Sequence, residues 1–175
     1  MAGICWDEFQ GAQLHQGDFL PGIQVPLFQT PFQEPSIGAE YAAQTEVQVR
    51  DVIVVNQTCD LEHNKLRFVA LCPAQTIAEM EAEQSGLSKS WKEVLKGRRE
   101  GLHLLSPCEN QLDHRTALVV DFREIISLPR GYVERHAFEI GKRQRLLSPY
   151  LEHFSQAFGR FYMRVALPAD VVTIP

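Results

Sequence analysis

Long apolar runs are missing from this chain. No stretch approaches the roughly 20 residues that would span a bilayer as a helix. The first eight residues, Met-Ala-Gly-Ile-Cys-Trp-Asp-Glu, lack the basic start and apolar centre of an export signal. A cytoplasmic protein with no membrane segment is therefore expected. Cysteine is sparse as well. The four thiols, Cys5, Cys59, Cys72 and Cys108, form no CxxC pair and follow no regular spacing. Without an export signal a disulfide framework is not expected. Cys59 and His63 stand four apart, and Cys72, Cys108 and His114 could add ligands, but the spacing fits no zinc-finger pattern. Cys72 lies in an apolar strand, where a thiol behaves as a small hydrophobe. No metal or cofactor is expected. Internal repeats and low-complexity tracts are also missing.

Basic residues are scarce in one half only. Residues 1–87 carry three basic and twelve acidic side chains, whereas residues 88–175 carry fourteen and ten. The balance swings from −9 to +4 within a chain of net charge −5. Basic clusters stand at Lys96-Gly-Arg-Arg99 and Lys142-Arg-Gln-Arg145. Such clusters can be the footprint of a nucleic acid, or simply a solvated face or a helix end. The acidic whole-chain balance argues against strong non-specific DNA binding.

At 175 residues, with 45% hydrophobic and 22% charged side chains, one globular domain is the default. Its most informative stretch is Asp51-Val-Ile-Val-Val-Asn-Gln-Thr-Cys-Asp60. Four β-branched residues make a buried strand, which ends in Asn56, Gln57, Thr58, Cys59 and Asp60. A strand that delivers a polar cluster at its end presents groups able to bind, donate or attack. The plainer reading is a turn whose side chains satisfy local backbone groups.

Around that strand the chain reads as many short strands. Gln24–Phe28 resembles an edge strand interrupted by proline, and residues 29–44 form a candidate long loop. Thr45–Val49 alternates, Glu62-His-Asn-Lys65 is a turn, and Leu66–Leu71 is its antiparallel partner. Thr76 and Glu79 fit a capping box opening a helical insertion over about 76–97. Strands are expected again at Leu102–Leu105, Thr116–Phe122, Ile125–Leu128 and Tyr132–Val133, with a turn at Pro107–Asn110. Ser148 as cap and Pro149 at the first position open a C-terminal helix over about 148–165. Its stripe of Leu151, Phe154, Phe158, Phe161, Tyr162 and Val165 predicts packing over the strands, with a homodimer contact as the alternative. The order predicts a mainly β, α+β fold. Its core would be a small, strongly bent β-barrel, over about 9–75 and 101–135, with peripheral helices.

With Gly17-Asp18 opening a strand, Arg50 just before Val52–Val55, and Leu71-Cys-Pro73 followed by Thr76, the chain resembles the MazF/PemK-type toxins. The resemblance implies an SH3-like barrel and covers roughly residues 15–125. Asp51 stands where that family has proline, and Thr76 lies one position too far from Pro73. Gln57-Thr-Cys-Asp60 has no counterpart there. It is similar instead to small bacterial proteins bearing Val-x-x-Gln-[Ser/Thr]-Cys-Asp-Leu, some with a Leu-Ser-Pro-Tyr…Phe-x-Arg-Phe helix like residues 147–161. That likeness implies a setting among bacterial defence or toxin-related genes.

Three functions follow. The first is a non-catalytic binding or regulatory module with a protein partner in a bacterial complex, or RNA, held by Arg50, Gln57, Thr58, Cys59 and Asp60. The second, implied by the toxin resemblance, is a metal-independent endoribonuclease with Arg50 stabilising the phosphorane and Thr76 assisting. The third is thiol chemistry at Cys59, with Asp60 and His63 near it in sequence and His103 or His114 approaching through the fold.

Overall fold

Four β-branched residues in a row suit a strand covered on both sides, because successive side chains point to opposite faces. The computed structural model, which describes residues 5–28, 45–84, 86–105 and 117–163, bears this out. Val52 and Val54 enter one apolar cluster with Leu20, Ile23, Leu71 and Val133. Ile53 and Val55 enter another with Trp6, Cys72, Phe122 and Phe154. A third cluster, around Met80, Leu87, Val94 and Val119, lies under the helical insertion.

The elements run β1 (Trp6–Gln10), β2 (Phe19–Phe28), β3 (Thr45–Val54), α1 (Thr58–Glu62), β4 (Phe68–Thr76) and α2 (Ile77–Glu83). A single 3-10 turn (Leu87–Lys89) leads to α3 (Trp91–Leu95), β5 (Leu102–Leu105), β6 (Leu118–Asp121) and β7 (Ile126–Pro129). Then come α4 (Arg130–Glu139), β8 (Lys142–Leu146) and α5 (Tyr150–Tyr162). Every pairing is antiparallel. One edge of β4 meets β3; the other is shared by β7 along Phe68–Leu71 and β6 along Ala74–Thr76, and β6 carries β5. The expected long loop at 29–44, the Pro107–Asn110 turn, Cys108 and His114 lie outside the described residues, as does the end of the expected last helix beyond Met163.

The fold is mainly β with a few helices, as expected, but among the described residues no sheet closes on itself. β1 and β8 form a separate two-stranded ribbon, joined to the start of β2 by the lone bridge Asp18–Arg145. Helices do what closure would have done. α4 lies along the outer edge of β2, where the Tyr132 hydroxyl donates to the Gln24 carbonyl at 2.9 Å and His136 Nε2 bonds the Pro21 carbonyl at 2.8 Å. Pro21 and Pro26 withhold two donors from that edge, as the edge-strand reading required. α5 lies over the second apolar cluster, with Phe154 fully buried against Phe122. Its aromatic stripe thus covers the sheet.

Two expectations are corrected. Tyr132–Val133 belongs to α4, because the backbone is held by the helical pair Val133 and Ala137, both buried, and by the Arg130–Glu134 ion pair one turn apart. Lys142–Leu146 is a strand whose arginine at position 143 faces inward. No described helix is long and apolar enough to cross a membrane.

Candidate functional site

The end of β3 is mostly spent on holding the fold. Asn56 Oδ1 accepts the Ala70 amide at 2.6 Å, continuing the β3–β4 ladder by one side chain. Thr58 Oγ1 accepts the Gln16 amide at 3.2 Å. Gln57 occupies the N-cap of α1 without a side-chain cap bond, and its carbonyl takes the amides of Asp60 and Leu61. Asp60 pairs with Lys65 at 3.2 Å across the following turn. Cys59 is exposed, and its thiol bonds Gln57 Oε1 at 3.8 Å. Gln57, Thr58, Cys59 and Asp60 therefore share the opening turn of α1, where the sequence predicts a plain polar turn and not a helix.

Arg50 does not join them. Four residues of strand, roughly 13 Å, separate it from Val54 alone. Its guanidinium donates to Glu124 Oε1 at 2.7 Å and to Gln48 Oε1 at 2.9 and 3.2 Å. It opens on a groove of about 430 Å³ lined by Asp51, Gln75, Glu79, Glu83, Asp121 and Glu124. Five carboxylates against one guanidinium give that groove the sign that repels a phosphodiester. Thr76 caps α2, where its hydroxyl accepts the Glu79 amide at 3.2 Å while Glu79 Oε2 takes the Thr76 amide at 2.8 Å. The capping box is as read from the sequence.

The Gly17-Asp18 pair has an architectural cause. Asp18 is fully buried and accepts Arg143 Nε and an Arg145 terminal nitrogen, each at 3.0 Å, the His15 amide at 3.1 Å, and Arg145 Nε. Arg143 spends its other donors on the carbonyls of Gly11 and Gln13, and Arg145 lies 3.8 Å over the Phe9 ring. Lys142 pairs with Glu8 at 2.7 Å. The second basic cluster is thus consumed inside the β1–β8 ribbon. Gly17 takes φ +81°, and a Cβ there would stand 2.9 Å from both Leu146 Cβ and Leu151 Cδ1.

Another concavity among the described residues is larger and of opposite sign to the Arg50 groove. It has a volume of about 630 Å³ and runs between α3, β5 and α5. A volume of about 300–1,000 Å³ is usual for a small-ligand site. Lys96 and Arg99 rise from the end of α3, where Gly97 at φ +66° stops the helix. Opposite them, His153, Gln156, Ala157, Arg160 and Phe161 form one face of α5, following the three- and four-residue helical spacing. The lining carries three permanent cations and one carboxylate, Glu100. Arg99 also donates to Ser90 Oγ at 2.8 Å, and Lys96 stands 3.8 Å from Glu93 outside the groove.

The floor is aromatic. Phe122 packs against Phe154, Phe158 and Phe161 with ring centroids 5.4 to 6.3 Å apart. His103 lies nearly parallel to Phe122 at 5.8 Å. Burial pushes the His103 imidazole down to about 4, helped by the positive fields of His153 and Arg160. It is neutral near pH 7. The floor is also fixed, because the Phe122 amide donates to the Gly101 carbonyl at 2.7 Å and a Cβ on Gly101 would meet Arg123 Cγ at 2.6 Å.

His103, considered above as a base for Cys59, thus stacks on Phe122 instead. Cys72 is fully buried, and desolvation pushes its thiol up to about 12, so it behaves as the small hydrophobe its strand implied. Among the described residues no group of three or more histidine, cysteine or carboxylate side chains converges in a way that could hold a metal. Of the groove, only Lys96-Gly-Arg-Arg99 stands out in the sequence, as a basic cluster open to a nucleic-acid footprint or a solvated helix end. Arg160 reads in sequence as a helix-end charge, and nothing local couples it to residue 96. Set beside known proteins, the chain matches no family model and no curated sequence.

Proposed function

We propose that this chain is a recognition module, acting by binding, whose ligand is an anion seated in the groove between α3, β5 and α5. One observation carries the reading: Lys96, Arg99 and Arg160 stand on two walls of a concavity with a rigid aromatic floor. Charge-assisted hydrogen bonds to such cations contribute about 1.5–3 kcal/mol each when the site is partly dehydrated. The bacterial defence or toxin-related setting implied by the Gln57–Asp60 motif belongs to the same proposal. There the module would supply recognition to a larger assembly.

Calorimetric titration with inorganic tripolyphosphate tests the reading. Binding should weaken from about 50 to about 200 mM salt as counterions compete. The double charge reversal Lys96→Glu with Arg160→Glu, both at exposed positions, should weaken it roughly ten-fold or more. Arg50→Ala should leave it unchanged. Binding that survives the double reversal, or that is lost with Arg50, would refute the assignment.

A further inference from the structure

We infer, resting on that anion-binding reading, that the groove's ligand is a nucleotide unit. Its base would stack on the His103–Phe161 floor and its phosphates would meet Lys96, Arg99 and Arg160. The argument is one of shape and sign together. A polyanion without a ring, such as polyphosphate or an acidic peptide, would engage the rim and leave the part-exposed His103 and Phe161 rings against water. A ligand with a flat π-face at one end and a phosphate at the other fills both. Nucleobases have this form, and stacking on aromatic side chains is how single-stranded nucleic acid is held without sequence-specific hydrogen bonds.

Three further observations point the same way. His103 is held nearly parallel to the buried Phe122, with an interplanar angle of 19°, so its part-exposed ring meets the groove beside Phe161 in a fixed orientation. As a neutral ring it adds no charge beneath the base. The cations stand on α3 and α5, on opposite sides of that surface, so phosphates on either side of one stacked base would each find a partner. A base inside a duplex cannot reach such a floor without leaving its stack, which selects for a single strand or a free nucleotide.

Fluorescence anisotropy and competition with the full chain test the inference. The probes are a labelled single-stranded oligoadenylate, an abasic strand of equal length and charge, a duplex, adenosine monophosphate and polyglutamate. Base stacking predicts that the oligoadenylate binds roughly five- to a hundred-fold tighter than the abasic strand. Three neutralised phosphates predict that log K falls against log salt with a slope of about −2. Lys96→Glu with Arg160→Glu should abolish both effects. Adenosine monophosphate competing as well as the strand, mole for mole, would also uphold the nucleotide unit and identify the free nucleotide as its source. Equal binding of base-bearing and abasic strands would overturn the inference while leaving the anion site standing. Preference for duplex or for polyglutamate would overturn it too. If no anion binds, tripolyphosphate included, both readings fall.

Discussion

His103 should make this fold lose stability in mild acid, and the size of the loss can be worked out. The imidazole titrates near 6.5 in an unfolded chain, but burial together with the fields of His153 and Arg160 lowers it to about 4 in the folded one. Between those values the unfolded state binds more protons, so stability rises with pH across the window and is lost as pH falls through it. A gap of about 2.5 units corresponds to about 3 kcal/mol in full, of which about 1 is gone at pH 5.5 and about 2–3 at pH 4.5. His103→Phe keeps a flat ring against Phe122 and Phe154 and removes the proton site. Urea denaturation of both proteins at pH 7, 5.5 and 4.5 gives the comparison, since carboxylate contributions are common to the two. The stability difference between them should shift by about 2–3 kcal/mol in favour of the variant over that range. Parallel pH profiles would refute the assignment of His103 as a buried neutral base.

Three further perturbations follow from the geometry. Asp18→Asn leaves the buried Arg143 and the half-buried Arg145 without their counter-charge and should cost about 3–5 kcal/mol in a denaturant titration, whereas Arg145→Lys should cost less because Arg143 keeps its partner. Thr76→Ala removes the acceptor of the capping box and should cost about 1 kcal/mol, while nucleotide and tripolyphosphate binding stay as they were; a binding loss without unfolding would instead tie Thr76 to the ligand.

What could be read in advance was local. Val52–Val55 announced a strand buried on both faces because four β-branched side chains leave neither face polar. Thr76 and Glu79 announced a helix start because a capping box lies within one turn. Gln57–Asp60 reads as a turn but opens the helix α1, and the side chains of Asn56 and Thr58 are used on Ala70 and Gln16, partners no short window shows. β8 was hidden for the same reason: Lys-Arg-Gln-Arg reads as solvated charge until Asp18 is brought beneath it. α4 carries no broad apolar stripe, because of its residues only Val133 and Ala137 are fully buried, and Tyr132–Val133 then reads as β-prone. The groove needs Lys96 and Arg99 from the insertion and His153 and Arg160 from the last helix. Its charge pattern exists only once the fold brings α3 and α5 to one groove across β5.

The β1–β8 ribbon constrains how the molecule is made. Trp6 pairs with Leu146, so β1 waits on the ribosome's synthesis of about 140 further residues before its mate β8 exists. At about 5–20 residues per second, that delay is on the order of ten seconds. Throughout it Phe9 has no guanidinium above it and Asp18 has neither of its arginines. The hairpin of β2 and β3 can zip up early, but the knot of charge that ties β8 to β1 and Asp18 forms only after residues 142–146 have been made.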